Sequence, residues 1–236
     1  MVRWEDVPDS KSCKVIAGVA LDGLLYSQRG PTCGIYALWK ALSHKELSGG
    51  KVLPPPTKHK ASFPDNKTSL RSIAKLAGLT KIGEVFAAEH VGLLAKSVGY
   101  EGGKVIGFKD AGELFTLVKS AVDNGQFVMM AFSVGSKGEP DLTGLNPHWC
   151  LIFGYWEATH ELAVTHWKEF FVFPVANLFQ SNTKLLPFPK SEWSKPKAGK
   201  NRMEDYEEGT GEDRIKIRAF SETELATALG WKLVVI

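Results

Sequence analysis

Cysteine is scarce in this chain, with Cys13, Cys33 and Cys150 the only three in 236 residues. An odd number at wide spacing excludes a disulfide framework and suits free thiols in a reducing compartment. Neither a CxxC nor an HExxH pattern occurs, so no zinc site and no other metal site is expected. Long apolar runs are also missing. Nothing approaches the roughly 20 apolar residues that a membrane span needs, and the opening "MVRWEDVPDSKSCKV" lacks the apolar core of a secretory signal. A soluble, cytoplasmic chain with no membrane partner is the expectation. Excess charge of one sign is lacking too: the net charge is +3 and the pI near 8.6. That excludes the strongly basic face that nucleic-acid binding calls for, and leaves only mild attraction to an acidic substrate. No internal repeat is visible, and 44% hydrophobic with 23% charged residues is ordinary globular composition. One domain over 1–236 is expected.

What is present divides into two textures. Ile35, Leu38, Trp39 and Leu42 recur at helical spacing after Cys33, which places that cysteine in the first turn of an amphipathic helix. "VLPPPTKHKASFPDN" within a loop of about 48–66 has neither helical nor strand period. Further helices are expected where Thr68 or Ser69 caps Leu70, Ile73 and Leu76, over Glu89–Ser97, and where Asp110 and Glu113 open a run closed by Asn124 and Gly125. From Phe127 the runs "FVMMAFSV", "HWCLIFGYW", "ELAVTHW" and "FFVFPV" are short, aromatic and β-branched, as buried antiparallel strands are. A charged loop is expected at about 187–213, then a strand in "RIKIRAF", a helix opened by Ser221 and Glu224, and a closing strand in "WKLVVI". Helices in the first half packed on an antiparallel sheet from the second half make an α+β fold.

The chemistry centres on "SQRGPTCGIYALW". A thiol attacks carbonyl carbon as thiolate, and at a reference pKa near 8.5 only about 3% is ionised at pH 7. The start of a helix favours an anion, and a histidine within reach supplies an imidazolium partner. Gly30 and Gly34 flank Cys33 and leave room for close approach, while Pro31 stiffens the entry. The Cys33 amide can donate to a developing oxyanion, and Gln28 is placed upstream to give a second bond. Of the six histidines, His148 stands apart because it opens an apolar strand after a loop rich in Gly, Pro and Asn. It is the expected base. His166, at the end of the next strand, is the second choice or an orienting partner.

"GPTCG" before an apolar helix and "HW" opening a strand resemble the papain-like cysteine peptidases, including those with the C39-like arrangement. The blocks "GPTCGIYALWKAL", "GEVFAAEHVGLLAKSVG", "HW" at 148 and "QSNTKL" from Gln180 resemble more closely the actin maturation proteases, which remove an N-acetylated first residue from actin. The resemblance implies a papain-like fold and a cytoplasmic thiol peptidase that needs no cofactor. Cys33 would be the nucleophile, His148 the general base and Gln28 the oxyanion donor. Its partner would be a protein substrate, the actin N-terminus, met by a monomer.

The chain departs from the papain pattern at the third residue, where Val164-Thr165-His166-Trp167 stands in place of an Asn or Asp before a small residue and Trp. Thr165, His166 or neither fills that role. Two other functions fit the same residues. One is a bacterial or viral effector that cleaves or deamidates a protein in the host cytosol. The other is a papain-like binding module that has lost turnover.

Overall fold

The structure, a computed structural model, describes residues 4–7, 9–26, 28, 32–44, 69–80, 83–85, 87–185 and 229–236. The expected loops at 48–66 and 187–213, the strand in "RIKIRAF" and the helix opened by Ser221 lie outside the described residues. Among those described are five α-helices: α1 (Cys33–His44), α2 (Leu70–Leu76), α3 (Ala88–Ser97), α4 (Ala111–Asp123) and α5 (Val175–Thr183). Seven strands join them: β1 (Lys14–Val15), β2 (Lys104–Gly107), β3 (Val128–Ser133), β4 (Pro147–Trp156), β5 (Glu161–His166), β6 (Glu169–Pro174) and β7 (Lys232–Val235). The fold is α+β with an antiparallel sheet.

Local chemistry accounts for the helix ends. Ser69 Oγ accepts from the Ser72 amide at 3.2 Å, and Asp110 Oδ1 accepts from the Glu113 amide at 2.7 Å while Glu113 reaches back to the Lys109 amide at 2.9 Å. Gly99 and Gly125 follow α3 and α4 with φ of +88° and +69°, the left-handed conformation that ends helices.

The division into a helical half and a sheet half is corrected at three places. The first half contributes β1 and β2 to the sheet, and the second half contributes α5. The apolar run read as one strand through Val175 stops at Pro174, and Val175 opens α5. Strand order is β2-β7-β3-β4-β5-β6, with β1 added on β4, so the last strand of the chain sits between β2 and β3.

Pairing decides what each face of the sheet carries. His148 lies opposite Phe132, Cys150 opposite Met130 and Ile152 opposite Val128, so these share one face, and Trp149 and Leu151 point to the other. A register shift between Ile152 and Gly154 brings Tyr155, not Gly154, onto the His148 face, where it meets Phe115 and Lys119 of α4. The opposite face receives α1 and α3, through Trp149 against Gly34 and Lys232 against Glu89. With sheet on one side and α2 and α3 on the other, α1 is buried from Gly34 to Leu42 on all sides.

Candidate functional site

Cys33 is the first helical residue of α1, and the carbonyl of Thr32 before it accepts the Tyr36 amide at 2.9 Å. Amides at this position point out of the helix, which makes the spot favourable for negative charge. Three contacts bring this helix start to the start of β4. Gly83, with φ +105°, lies against Thr32 and Arg71 so closely that a Cβ would stand 2.7 Å from Thr32 Cγ2. The chain from Gly83 then brings Val85 beside Gly34, and the Val85 carbonyl accepts the indole N–H of Trp149 at 2.8 Å. A Cβ on Gly34 would meet Trp149 Cδ1 at 2.9 Å, so the glycine is what lets the indole lie on the helix. At the other end of α1, His44 packs near Phe127 with ring centroids 5.8 Å apart. The helix therefore runs along the sheet with Cys33 at the His148 end.

His148 is buried, and its ring is surrounded by rings. Phe132 lies at 6.0 Å, His166 at 5.1 Å and Trp167 at 5.4 Å between centroids. Strand alternation sends Trp149 toward α1 and His148 with Cys150 toward the other face. Burial pushes the Cys150 thiol upward, and the charge of Cys33 adds a smaller push in the same direction, so the Cys33 sulfur is within electrostatic range of that face. Burial likewise pushes Cys13 up to about 12. Two of the three thiols are therefore held protonated by desolvation at neutral pH.

The open choice of third residue meets two different environments. Thr165 turns to the opposite face, where its hydroxyl donates to the Leu24 carbonyl at 3.3 Å. His166 shares the face of His148, but the two meet ring to ring at an interplanar angle of 62°. Neither ring nitrogen of His166 has a hydrogen-bond partner within good geometry, although the Gly138 backbone passes close to the ring. Desolvation, followed by repulsion from His148 and Lys40, pushes His166 down to about 2, so it is neutral across the physiological range. Gln28 is half-buried, and most of the loop joining it to Cys33 lies outside the described residues. Of the remaining histidines, His44 accepts from the Ala20 amide at 3.4 Å, His90 is buried in α3 and His160 stacks on Phe115 at 4.4 Å. His59 lies outside the described residues.

Lys40 was not anticipated by sequence reasoning. It stands seven residues after Cys33, on the same stripe of α1, and is 4% exposed, and burial lowers its pKa to about 8. A lysine inside the apolar period of α1 was the available signal. Asn182 was also missed as a structural element: its buried carboxamide donates to the Ala131 and Leu229 carbonyls at 2.7 and 3.2 Å and accepts from the Trp231 amide at 2.7 Å. The block "QSNTKL" thus ties β3 to β7 from α5. Among the described residues no group of three or more His, Cys, Asp and Glu is arranged to hold a metal ion, and no helix is long and apolar enough to cross a membrane.

Fold and site together define an α+β protein whose buried central helix begins at a thiol and lies against β4, which carries His148 beside His166 of the neighbouring β5. Residues 25–156, more than half of the chain, match the family model described as actin maturation protease-like, C-terminal domain, and the chain belongs to that family. The matched span holds Cys33, the Gly83 to Gly99 block and His148, and stops before His166. No curated protein matches the chain.

Proposed function

We propose that the chain is a papain-like thiol peptidase of the actin maturation protease type, acting in the cytoplasm on the N-acetylated first residue of actin. One observation carries this reading. Cys33 opens the buried helix α1 at the end of the sheet where His148 lies, whereas burial holds Cys13 and Cys150 protonated. The fold family supplies the reaction and the geometry supplies the reason for choosing this thiol. The Cys33 thiolate adds to the carbonyl carbon of the scissile amide. The resulting oxyanion is held by the Cys33 amide and by Gln28, and the imidazolium of His148 protonates the leaving amine. Water activated by His148 then releases the acyl group and restores the thiol.

Incubation with N-acetylated actin followed by intact mass tests the substrate. Loss of one acetylated residue is expected, whereas a gain of one dalton would make the enzyme a deamidase, and unchanged actin would remove it as the substrate. Alkylation of Cys33 by iodoacetamide at pH 6 tests the pair itself. A rate no faster than that of an ordinary thiol would remove the ion pair and favour a binding module.

A further inference from the structure

His166 is costly where it stands. It is 3% exposed, and neither ring nitrogen makes a hydrogen bond of good geometry, the Gly138 backbone being the polar group that passes nearest. A buried polar atom left in that state loses its hydration without gaining a bond in return. The surroundings are those of an aromatic core position. Phe171 stacks on the ring at 4.2 Å and 16°, Phe132 meets it edge-on at 5.3 Å, and Trp167 lies at 5.2 Å. A phenylalanine would fill this nest with the same shape and no desolvated nitrogen. Packing therefore accounts for the ring and leaves the nitrogens unexplained.

The neighbour that gives the nitrogens a use is His148, 5.1 Å away between centroids on the same face of the sheet. We infer that His166 is a positioning residue for His148, a neutral imidazole whose bare nitrogen accepts a hydrogen bond from the His148 ring once that ring is protonated. The inference rests on the Cys33 and His148 reading and supplies the orienting group that the reading leaves open. A neutral imidazole has one donor nitrogen and one acceptor nitrogen, which is what an imidazolium neighbour needs. A bond from a charged donor is roughly twice as strong as a neutral one, so it forms with the imidazolium and is weak with the uncharged ring.

The charges facing the pair decide which ring takes the proton. Lys40 of α1 and His148 of β4 both oppose a positive charge on His166. The Gly138 backbone, in the β3–β4 connection, favours a charge on His166 but by less than burial and His148 oppose it, and Phe171 and Phe173 from β6 offer no charge. On the Cys33 and His148 reading, His148 is the ring that takes the thiol's proton. The proton leaving Cys33 thus settles on His148, and His166 stays an acceptor. The two rings meet at 5.1 Å and 62°, so the bond requires a rotation of one ring toward the other.

Two substitutions separate this role from packing. His166→Asn keeps an acceptor and loses the aromatic ring; His166→Phe keeps the ring and loses the acceptor. Both are assayed in the full chain for thermal melting, for kcat and KM on an acetylated peptide amide, and for the pH dependence of Cys33 alkylation, which needs no substrate. The expected result for Phe is melting at or above that of the parent, kcat lower by about tenfold or more with KM little changed, and an alkylation limb displaced toward high pH. For Asn, the expected result is a lower melting point with the parent's alkylation limb and a kcat within about threefold.

If Phe matches the parent in kcat and in the alkylation limb, the ring is packing alone and the inference falls. It falls equally if Asn loses the limb while still folded. A parent protein that alkylates Cys33 as an ordinary thiol would overturn the Cys33 and His148 pair and this inference with it. A normal limb in the parent with an unaltered Phe variant overturns only the role of His166.

Discussion

The two ends of β4 carry polar groups on the same face and treat them in opposite ways. At the Tyr155 end the phenol donates to Asp123 Oδ1 at 2.8 Å and accepts from Lys119 at 2.9 Å, and Lys14 pairs with Asp123 at 2.9 Å. These groups satisfy one another, and the charged partners of the buried Tyr155 are within reach of solvent. At the His148 end, His166 is enclosed by aromatic rings with both nitrogens unpartnered, and a buried lysine on the helix of Cys33 adds unfavourable charge. A fold selected for stability alone would make the second end resemble the first. The contrast is the one expected if the proposed chemistry sits at the His148 end.

The comparison can be broken by substitutions graded from one end to the other. The largest effect is expected from Cys33→Ala and His148→Ala, each lowering kcat/KM by about a thousandfold or more with normal circular dichroism. Activity that survives either change would move the chemistry away from this end.

Next comes Lys40→Met. The folded pKa of about 8 lies below the unfolded value, so the unfolded chain binds more protons between about pH 8 and pH 10.4, and stability rises with pH across that window. Below pH 8 the buried charge costs about 3 kcal/mol, and Met should recover most of it. Melting curves of the two proteins should converge as pH is raised toward 10. A constant gap would show that packing, not charge, separates them.

Gly34→Ala should destabilise by about 1–3 kcal/mol, because the added methyl meets the Trp149 ring. Chemical denaturation measures it. His166 sets a slope instead of a single value. Its folded pKa lies below the unfolded one near 6.5, so stability is lost as pH falls below 6.5, at about 1.4 kcal/mol per pH unit. His166→Phe should flatten that slope by one proton, and an unchanged slope would mean that the ring is not buried in solution.

The smallest effect belongs to the satisfied end. Tyr155→Phe should cost about 1–2 kcal/mol for two hydrogen bonds whose charged partners stay in reach of water, with no change in alkylation of Cys33. Should it slow that alkylation, the two ends would be coupled and the comparison would fail.

Much of this was legible in the sequence because it rests on local rules. The apolar period after Cys33 defines α1, Asp110 and Ser69, one of two candidate caps, open their helices, and short aromatic and β-branched runs between turn residues define β3, β4 and β5. Helical and strand periods and capping bonds involve neighbours a few residues apart, so adjacent side chains suffice to specify them. The short strands β1 and β2 and the helix α5 were not legible. Two to four residues carry no period, and α5 draws on tertiary bonds, Ser181 to Ser133 and Asn182 to Ala131, from residues about fifty positions apart.

The candidate site divides along the same line. Chain order alone shows a cysteine opening a helix and a histidine opening a strand, and it leaves Thr165 and His166 as equals. Pairing in the sheet turns Thr165 to Leu24 and His166 to His148, and folding buries Lys40 on the stripe of Cys33. Which face a side chain takes depends on register with distant strands, and what it costs there depends on what folds over it. Neither quantity exists until the chain has closed on itself.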